Sequence, residues 1–175
     1  VALYLGRLRD LSFTDGTPPM AGIDFEPNSH LNVLEQIRFR NVTATGNKGR
    51  GFQYSLTKMY PNSSALDIAF ESCLVNTTGM YGVSFSGSST GLPAGGQLRF
   101  TNITVLGTNG TGLLIENKNG GPVLEMRQST FNNVAQVENS PIWIEGQSRN
   151  CTGASFDDVV VVDNAHRPAV KFMGS

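Results

Sequence analysis

Two short motifs recur along the chain at nearly the same interval. The first, Phe-x-(Asn/Ser/Asp)-apolar, begins at Phe39, Phe70, Phe100, Phe131 and Phe156. The second, an apolar-x-apolar triplet, follows Gly22, Gly51, Gly82, Gly112 and Pro141. Successive copies of each motif are 25 to 31 residues apart. Two markers that keep one period indicate a stack of similar units, which is a solenoid.

Each unit consists of short stretches in which apolar and polar residues alternate. The unit that opens at Gly22 contains Ile23-Asp-Phe-Glu, Ile37-Arg-Phe-Arg and Val42-Thr-Ala-Thr. Alternation with a period of two is typical of strands buried on one face, and the Gly- and Asn-rich stretches between them indicate turns. No segment keeps a helical apolar stripe for ten residues, and charged residues make up only 15% of the chain. Three short strands per unit therefore predict an all-β solenoid, a parallel β-helix.

The second motif predicts two inward columns of apolar residues, each running along the stack. The first column is Ile23, Phe52, Val83, Leu113, Ile142 and Val170. The second column is Phe25, Tyr54, Phe85, Ile115, Ile144 and Phe172. Residues between and beyond these positions are expected to point outward.

The polar residue of the first motif is expected to form a ladder at a corner between two strands. A tight corner favours a left-handed residue, which Asn tolerates well, and its amide can bond to the equivalent residue one coil away. The expected ladder residues are Asn41, Ser72, Asn102, Asn133 and Asp158.

In these two motifs the chain resembles the right-handed parallel β-helix proteins of the pectate-lyase-like superfamily. The resemblance covers about residues 11 to 173 and is specific for fold, whereas members of the superfamily range from polysaccharide lyases and hydrolases to tailspikes, adhesins and structural modules. It implies a right-handed, single-stranded parallel β-helix of about five to six coils of roughly 30 residues. We expect residues 1–175 to form a single domain of this kind with open, uncapped ends.

In enzymes of that superfamily the substrate lies on the outer face of the first strand, so the outward residues there are the candidates for catalysis. Asp24 and Glu26 share one coil, and Arg50 precedes the first strand of the next. The two carboxylates could bind Ca²⁺ with loop carbonyls, the only cofactor that the sequence suggests. Solvated charges that keep an exposed sheet soluble are the simpler interpretation.

Glu116 and Glu145 are a second candidate pair, because they occupy equivalent positions one coil apart. Their expected separation of about 5 Å resembles a retaining glycosidase pair, but any two aligned residues of a β-helix share it. Trp143 projects outward beside them and could stack on a sugar ring or be covered by another subunit. There is no zinc pattern, phosphate loop or Gly-x-Ser-x-Gly in the chain.

Six Asn-x-Ser/Thr sequons favour a secreted, N-glycosylated protein. Asn62, Asn76, Asn109 and Asn150 lie among turn-forming residues and are the expected glycan sites. Asn41 and Asn102 belong to the ladder and are expected to be stacked inside the fold without sugar.

The two cysteines are expected to stay unpaired. Cys73 falls in an inward position, and Cys151 lies roughly three coils later. That offset is about 14 Å at about 4.8 Å per coil, whereas a disulfide needs Cα atoms within about 7 Å.

Charge and hydropathy exclude two classes of partner. The formal net charge is −1 and Lys and Arg form no cluster in the sequence, which argues against nucleic acid. No apolar run approaches the roughly 20 residues of a membrane span.

The strand pattern at the end of the sequence could be followed directly by the strand pattern near its start. It closes on Val170-Lys-Phe-Met, a first-strand pattern, and near its start Leu11-Ser-Phe-Thr-Asp resembles a second strand. We therefore expect a non-enzymatic extracellular glycoprotein, structural or adhesive, whose identical copies stack head to tail in a filament or repeat array. The alternatives are a carbohydrate-active enzyme fragment, a polysaccharide lyase or glycoside hydrolase, and a sugar-binding module; in both, a polysaccharide would be the partner.

Overall fold

The computed structural model describes residues 7–9, 12–14, 21–26, 36–55, 66–86, 96–117, 123–134, 140–146, 154–162 and 167–174. In these ranges all regular structure is β-strand. In chain order the strands are β1 (Arg7–Arg9), β2 (Ser12–Thr14), β3 (Ile23–Phe25), β4 (Ile37–Arg40), β5 (Thr43–Thr45), β6 (Phe52–Ser55), β7 (Leu66–Glu71), β8 (Leu74–Asn76), β9 (Val83–Ser86), β10 (Gly96–Thr101), β11 (Thr104–Leu106), β12 (Leu113–Asn117), β13 (Val123–Arg127), β14 (Thr130–Asn132), β15 (Ile142–Gly146), β16 (Ala154–Asp157), β17 (Val160–Val162) and β18 (Val170–Gly174).

The strands form three sheets, and every third strand along the chain belongs to the same sheet. The β1 sheet has the order β1-β4-β7-β10-β13-β16, the β2 sheet β2-β5-β8-β11-β14-β17, and the β3 sheet β3-β6-β9-β12-β15-β18. All the pairings are parallel. Each turn of the chain thus adds one strand to each sheet, which is a parallel β-helix, as predicted.

The register of the β3 sheet confirms both predicted inward columns. Ile23 lies opposite Phe52, and the column continues without a slip to Val170. The column from Phe25 to Phe172 runs beside it in the same register. The apolar positions of the second motif are therefore equivalent positions of successive turns.

The fourth copy of the first motif is out of register, so that part of the prediction was wrong. Phe131 lies in β14 opposite Val105, whereas the residue opposite Phe100 is Met126. Five residues separate β12 from β13, but nine separate β9 from β10, and this shorter connection advances the chain by several residues. The sequence Phe131-Asn-Asn-Val therefore belongs to the β2 sheet.

The corner between the β1 and β2 sheets has the expected left-handed backbone. The residues there with φ of 50–54° are Asn41, Ser72, Asn102, Gln128 and Asp158. Asn133, expected in this ladder, instead lies at the following corner, where Gly46, Thr77 and Gly107 also have positive φ. The Asn102 amide donates a hydrogen bond to the Ser72 hydroxyl at 3.1 Å, which is one step of the expected ladder.

The core is a column of aromatic rings inside the solenoid. The rings of Phe39, Phe70 and Phe100 stack with centroids 4.7 Å and 5.0 Å apart, and all three are buried. Phe52 and Tyr54 of the β3 sheet approach Phe70 at 5.4 Å and 5.7 Å. The first motif therefore supplies the centre of the core, and the second supplies the wall that packs on it.

Candidate functional site

The three predicted residues Asp24, Glu26 and Arg50 lie together at the start of the β3 sheet. Arg50 donates a hydrogen bond to the side-chain carbonyl of Gln53, whose amide donates to Glu26 Oε1 at 3.2 Å. The Arg50 guanidinium carbon also lies 5.6 Å from the centroid of the Tyr81 ring. Gln53 thus connects the basic residue to the acidic one, a link that was not predicted from the sequence.

The electrostatics of this cluster centre on Asp24. Partial loss of hydration around the exposed carboxylate and the neighbouring charge of Glu26 raise the pKa of Asp24 above its ordinary value of 3.8, and Arg50 opposes them in part. A general acid on this surface would need a second carboxylate facing it across a bond. The outward residues opposite Asp24 on the next two turns are Gln53 and Ser84. Within the described ranges, no three His, Cys, Asp or Glu side chains are placed to hold a metal ion.

Glu116 and Glu145 lie directly opposite each other on β12 and β15. Both are half-buried, and the Ser86 hydroxyl donates a hydrogen bond to Glu116 Oε2 at 2.8 Å. Ser86 is the register partner of Glu116 on β9, so the contact follows the stacking direction. The pair lies side by side along the solenoid, as do all residues of one column.

The face of Trp143 carries a cation. Lys171 is the register partner of Trp143 on β18, and its ammonium lies 4.4 Å from the centroid of the indole ring. The Trp143 side chain is half-buried, and its buried Nε1 has no hydrogen-bond partner in the described structure. A sugar that stacked on the same face would have to displace the ammonium from a favourable cation–π contact.

The sequons differ in accessibility. Asn109 is exposed in a turn, and Asn76 is half-buried at the end of β8, where its side-chain oxygen accepts a hydrogen bond from Thr77. Asn62 and Asn150 lie outside the described residues. Asn41 and Asn102 are exposed, so the expectation that the ladder lies inside the fold was wrong. The left-handed corner turns these side chains towards water.

Cys73 is an unpaired, buried thiol, whereas Cys151 lies outside the described residues. The Cys73 thiol donates to the carbonyl oxygens of Glu71 and Phe39, with sulfur–oxygen distances of 3.4 Å and 3.7 Å. Burial raises the pKa of this thiol above its ordinary value of 9.0, although hydrogen bonds with the backbone oppose the effect. A buried, protonated thiol is a packing element and a poor nucleophile.

An ion-pair ladder on the outer face of the β1 sheet was not predicted from the sequence. The Asp67 carboxylate accepts hydrogen bonds from Arg38 at 2.5 Å and from Arg99 at 2.6 Å. These arginines lie on the turns before and after that of Asp67, so the three side chains join three successive turns. The middle turn contributes the carboxylate, and each neighbouring turn contributes a guanidinium. The ion pairs therefore link side chains of three different turns.

Replacing Asp67 with Asn is expected to lower the free energy of unfolding by about 1 kcal/mol at pH 7, because two guanidinium groups lose their shared carboxylate. Partial burial raises the pKa of Asp67, but the hydrogen bonds and charges of Arg38 and Arg99 outweigh it and bring the pKa below 3.8. A depressed folded-state pKa contributes stability above the unfolded value, and that contribution disappears as the pH falls through the folded value. Urea unfolding of both proteins from pH 7 down to pH 3 measures the difference.

Glu71→Gln is the matched control, because Glu71 makes one ion pair, 3.0 Å from Arg40, and both side chains are more exposed. The expected loss is about 0.3 kcal/mol. Equal losses in the two variants, or an Asp67→Asn difference that does not decrease at all between pH 7 and pH 3, would show that pairing with two arginines adds no stability beyond that of an ordinary surface ion pair.

The two faces at the ends of the stack differ from the rest of the surface. We call the free edges of β16, β17 and β18 the upper face and those of β1, β2 and β3 the lower face; in the described structure these six strands pair on one side only. The large hydrophobic residues exposed on the last strands are Val160, Val162, Phe172 and Met173, with Phe172 63% exposed. Phe156, Val159, Val161 and Val170 are partly buried against the core. The upper face is thus a cross-section of the core beside unpaired strand edges.

Comparison of the chain with known protein families, with curated proteins and with solved structures finds no match in any of the three. None of the residues described forms a helix long and apolar enough to cross a membrane.

Proposed function

We propose that this chain is a non-enzymatic extracellular module, structural or adhesive, whose identical copies stack head to tail through the upper and lower faces. The observation that carries the proposal is the upper face, where Phe172 and Met173 are exposed beside the free edge of β18. An unpaired edge presents a row of free N–H and C=O groups and readily accepts another strand. An exposed apolar patch beside such an edge is typical of an interaction surface.

Head-to-tail contact joins two different surfaces and therefore propagates. Such heterologous contacts form rings when the rotation between copies closes, and filaments when it does not. Copies that add along the axis of a solenoid extend it in a straight line, so the proposal favours a filament. The right-handed coiling of the β-helix and the relationship to the pectate-lyase-like superfamily are part of the proposal and are supported by the two sequence motifs.

Secretion and N-glycosylation belong to the same proposal. They are supported by six sequons, of which Asn109 is exposed in a turn away from both end faces. Glycans on the lateral surface would keep neighbouring stacks apart while leaving the end faces free to dock. The carbohydrate-active alternatives receive less support, because Lys171 occupies the face of Trp143 and Asp24 has no carboxylate opposite it on the adjacent turn.

Electron microscopy and sedimentation of the purified 175-residue chain test the proposal. Six strands per sheet at about 4.8 Å each predict fibres with an axial repeat of about 29 Å. Phe172→Asp is expected to raise the concentration needed for assembly at least tenfold, because it would bury an unpaired carboxylate in an apolar contact.

Val123→Asp is the control, because Val123 is also an exposed apolar residue (40%) but lies on β13, within the stack. It should assemble like the unmodified chain. Monodisperse monomers of the unmodified chain at high concentration would refute the stacking proposal, as would equal loss of assembly in both variants. The next assay would then be polysaccharide turnover by Asp24→Asn and Glu145→Gln variants.

A further inference from the structure

Two outer columns of the solenoid begin and end at residues of opposite charge. In the β3 sheet, the register gives an outward column of Asp24, Gln53, Ser84, Leu114, Trp143 and Lys171. The column starts with a carboxylate on the lower face and ends with an ammonium on the upper face. Asp24 and Lys171 are both exposed.

A column of the β1 sheet shows the same reversal with the signs exchanged. It runs through Arg9, Arg40, Glu71, Thr101, Arg127 and Asp157. Here the lower face contributes a basic position and the upper face an acidic one, and Asp157 is exposed. Two columns on different sheets therefore carry complementary charges at their two ends, with opposite polarity.

The inward columns of the β3 sheet are apolar at both ends. Both columns of the β3 sheet can be followed along the whole stack, and their terminal residues are Ile23 and Val170, and Phe25 and Phe172. If the register continued from the upper face of one copy to the lower face of the next, each inward position of the β3 sheet would meet an apolar position. Phe172 would meet Phe25, whose ring already stacks on Tyr54 of its own chain at 5.0 Å.

We infer that two copies dock in continuous register, with β16, β17 and β18 of one copy pairing in parallel with β1, β2 and β3 of the next. In this arrangement Lys171 lies opposite Asp24 and Asp157 lies opposite Arg9. The inference rests on the proposed function and adds the partner surface and its register. The occupant of the upper face is the lower face of a second copy of this chain.

Other registers lose these matches. A slip of one residue turns every side chain to the other face, which would direct Lys171 into the core and Phe172 into water. A slip of two residues keeps the apolar face inward, but in one direction it places Lys171 opposite Gly22 and in the other opposite Glu26, where Asp157 no longer lies opposite Arg9. Only the continuous register places both charged positions of the upper face opposite positions of the other sign.

Charge exchange at the first pair tests the inference. In Asp24→Lys, every contact between copies would place two lysines opposite each other, and in Lys171→Asp it would place two aspartates there. Each single variant should need at least a tenfold higher concentration to assemble, measured by sedimentation. The double variant restores opposite charges and should assemble within about threefold of the unmodified chain.

A mixture of the two single variants provides a second measurement that does not depend on the fold of the double variant. Each variant repels itself, but its charged end is complementary to the other variant, so an equimolar mixture should form alternating fibres when neither does so alone. This outcome is specific to a contact between positions 24 and 171. Thermal unfolding by circular dichroism confirms that each single variant is folded before mixing.

The outcomes separate this inference from the proposed function. If the unmodified chain does not assemble, both are refuted. If it assembles and both single variants assemble equally well, the stacking stands but the register is wrong. If the single variants fail and neither the double variant nor the mixture recovers, residues 24 and 171 do not pair, and the inferred register is overturned.

Discussion

Replacement of Phe70 with alanine is expected to lower the free energy of unfolding by about 3–5 kcal/mol. Phe70 is completely buried, and its ring stacks between Phe39 and Phe100 with centroids 4.7 Å and 5.0 Å away. Phe52 and Tyr54 close the other side. Alanine would remove ring contacts on three successive turns and leave a cavity that the rigid strands cannot close. Urea unfolding followed by circular dichroism gives the difference directly.

Two control variants separate the cavity from a general effect of losing an aromatic residue. Phe70→Leu keeps much of the side-chain volume and should cost about 1.5 kcal/mol. Phe172→Ala removes a ring that is 63% exposed, so it should change the stability of the monomer by less than about 0.5 kcal/mol. A loss below about 1 kcal/mol for Phe70→Ala would mean that the aromatic column is not the centre of the core.

The register of the β3 sheet could be predicted from the sequence because its signal is local. Alternation fixes which residues of a strand share a face, and Gly51, Gly82 and Gly112 mark the same place in successive turns. The inward column from Ile23 to Val170 follows from those two facts alone. No contact between distant residues has to be known.

The turn that opens with β13 could not be placed in the same way, because both of its marker residues differ from those of the other turns. Met126 replaces Phe, Gln128 replaces Asn, and a true Phe-Asn-Asn-Val sequence occurs five residues later in another sheet. The connection before β13 is shorter than its counterparts, and motif spacing cannot distinguish a shortened turn from a shifted motif. A methionine can fill the place of a ring because its unbranched chain adapts to the gap.

The solvent exposure of residues on the outer face of the β3 sheet could not be predicted from the sequence either. Ser84 and Leu114 alternate to the outer face, yet they are only 3% and 7% exposed. A period of two reveals the side of a sheet on which a residue lies, but not whether that side reaches water. The Asp67 ladder was missed for a related reason: its partners, 29 and 32 residues away, meet it only because the turns stack.

The glycine of the second motif is required by a lack of space, and Gly82→Ala is expected to lower the free energy of unfolding by about 3 kcal/mol. A Cβ atom at this position would lie 2.5 Å from the carbonyl oxygen of Gly112 and 2.6 Å from a methyl carbon of Val105. The first contact is with the backbone of the next turn, which accepts a hydrogen bond from Val83 at 2.8 Å. The two turns would have to separate, which breaks the ladder beside them. Urea unfolding measures the loss.

Gly46→Ala is the control that separates steric crowding from backbone strain, because Gly46 has a strained backbone conformation but no crowding. Gly46 has a φ of +69°, but a Cβ there would meet no atom within 4 Å. Its replacement should cost about 1 kcal/mol, the price of a left-handed alanine. If Gly46→Ala were the more damaging variant, the motif glycines would matter for turn conformation. If Gly82→Ala is the more damaging variant, the motif glycines are needed because successive turns approach each other too closely for a side chain there. The same close approach occurs at the motif glycines of other turns, which explains why glycine recurs with the period of the solenoid.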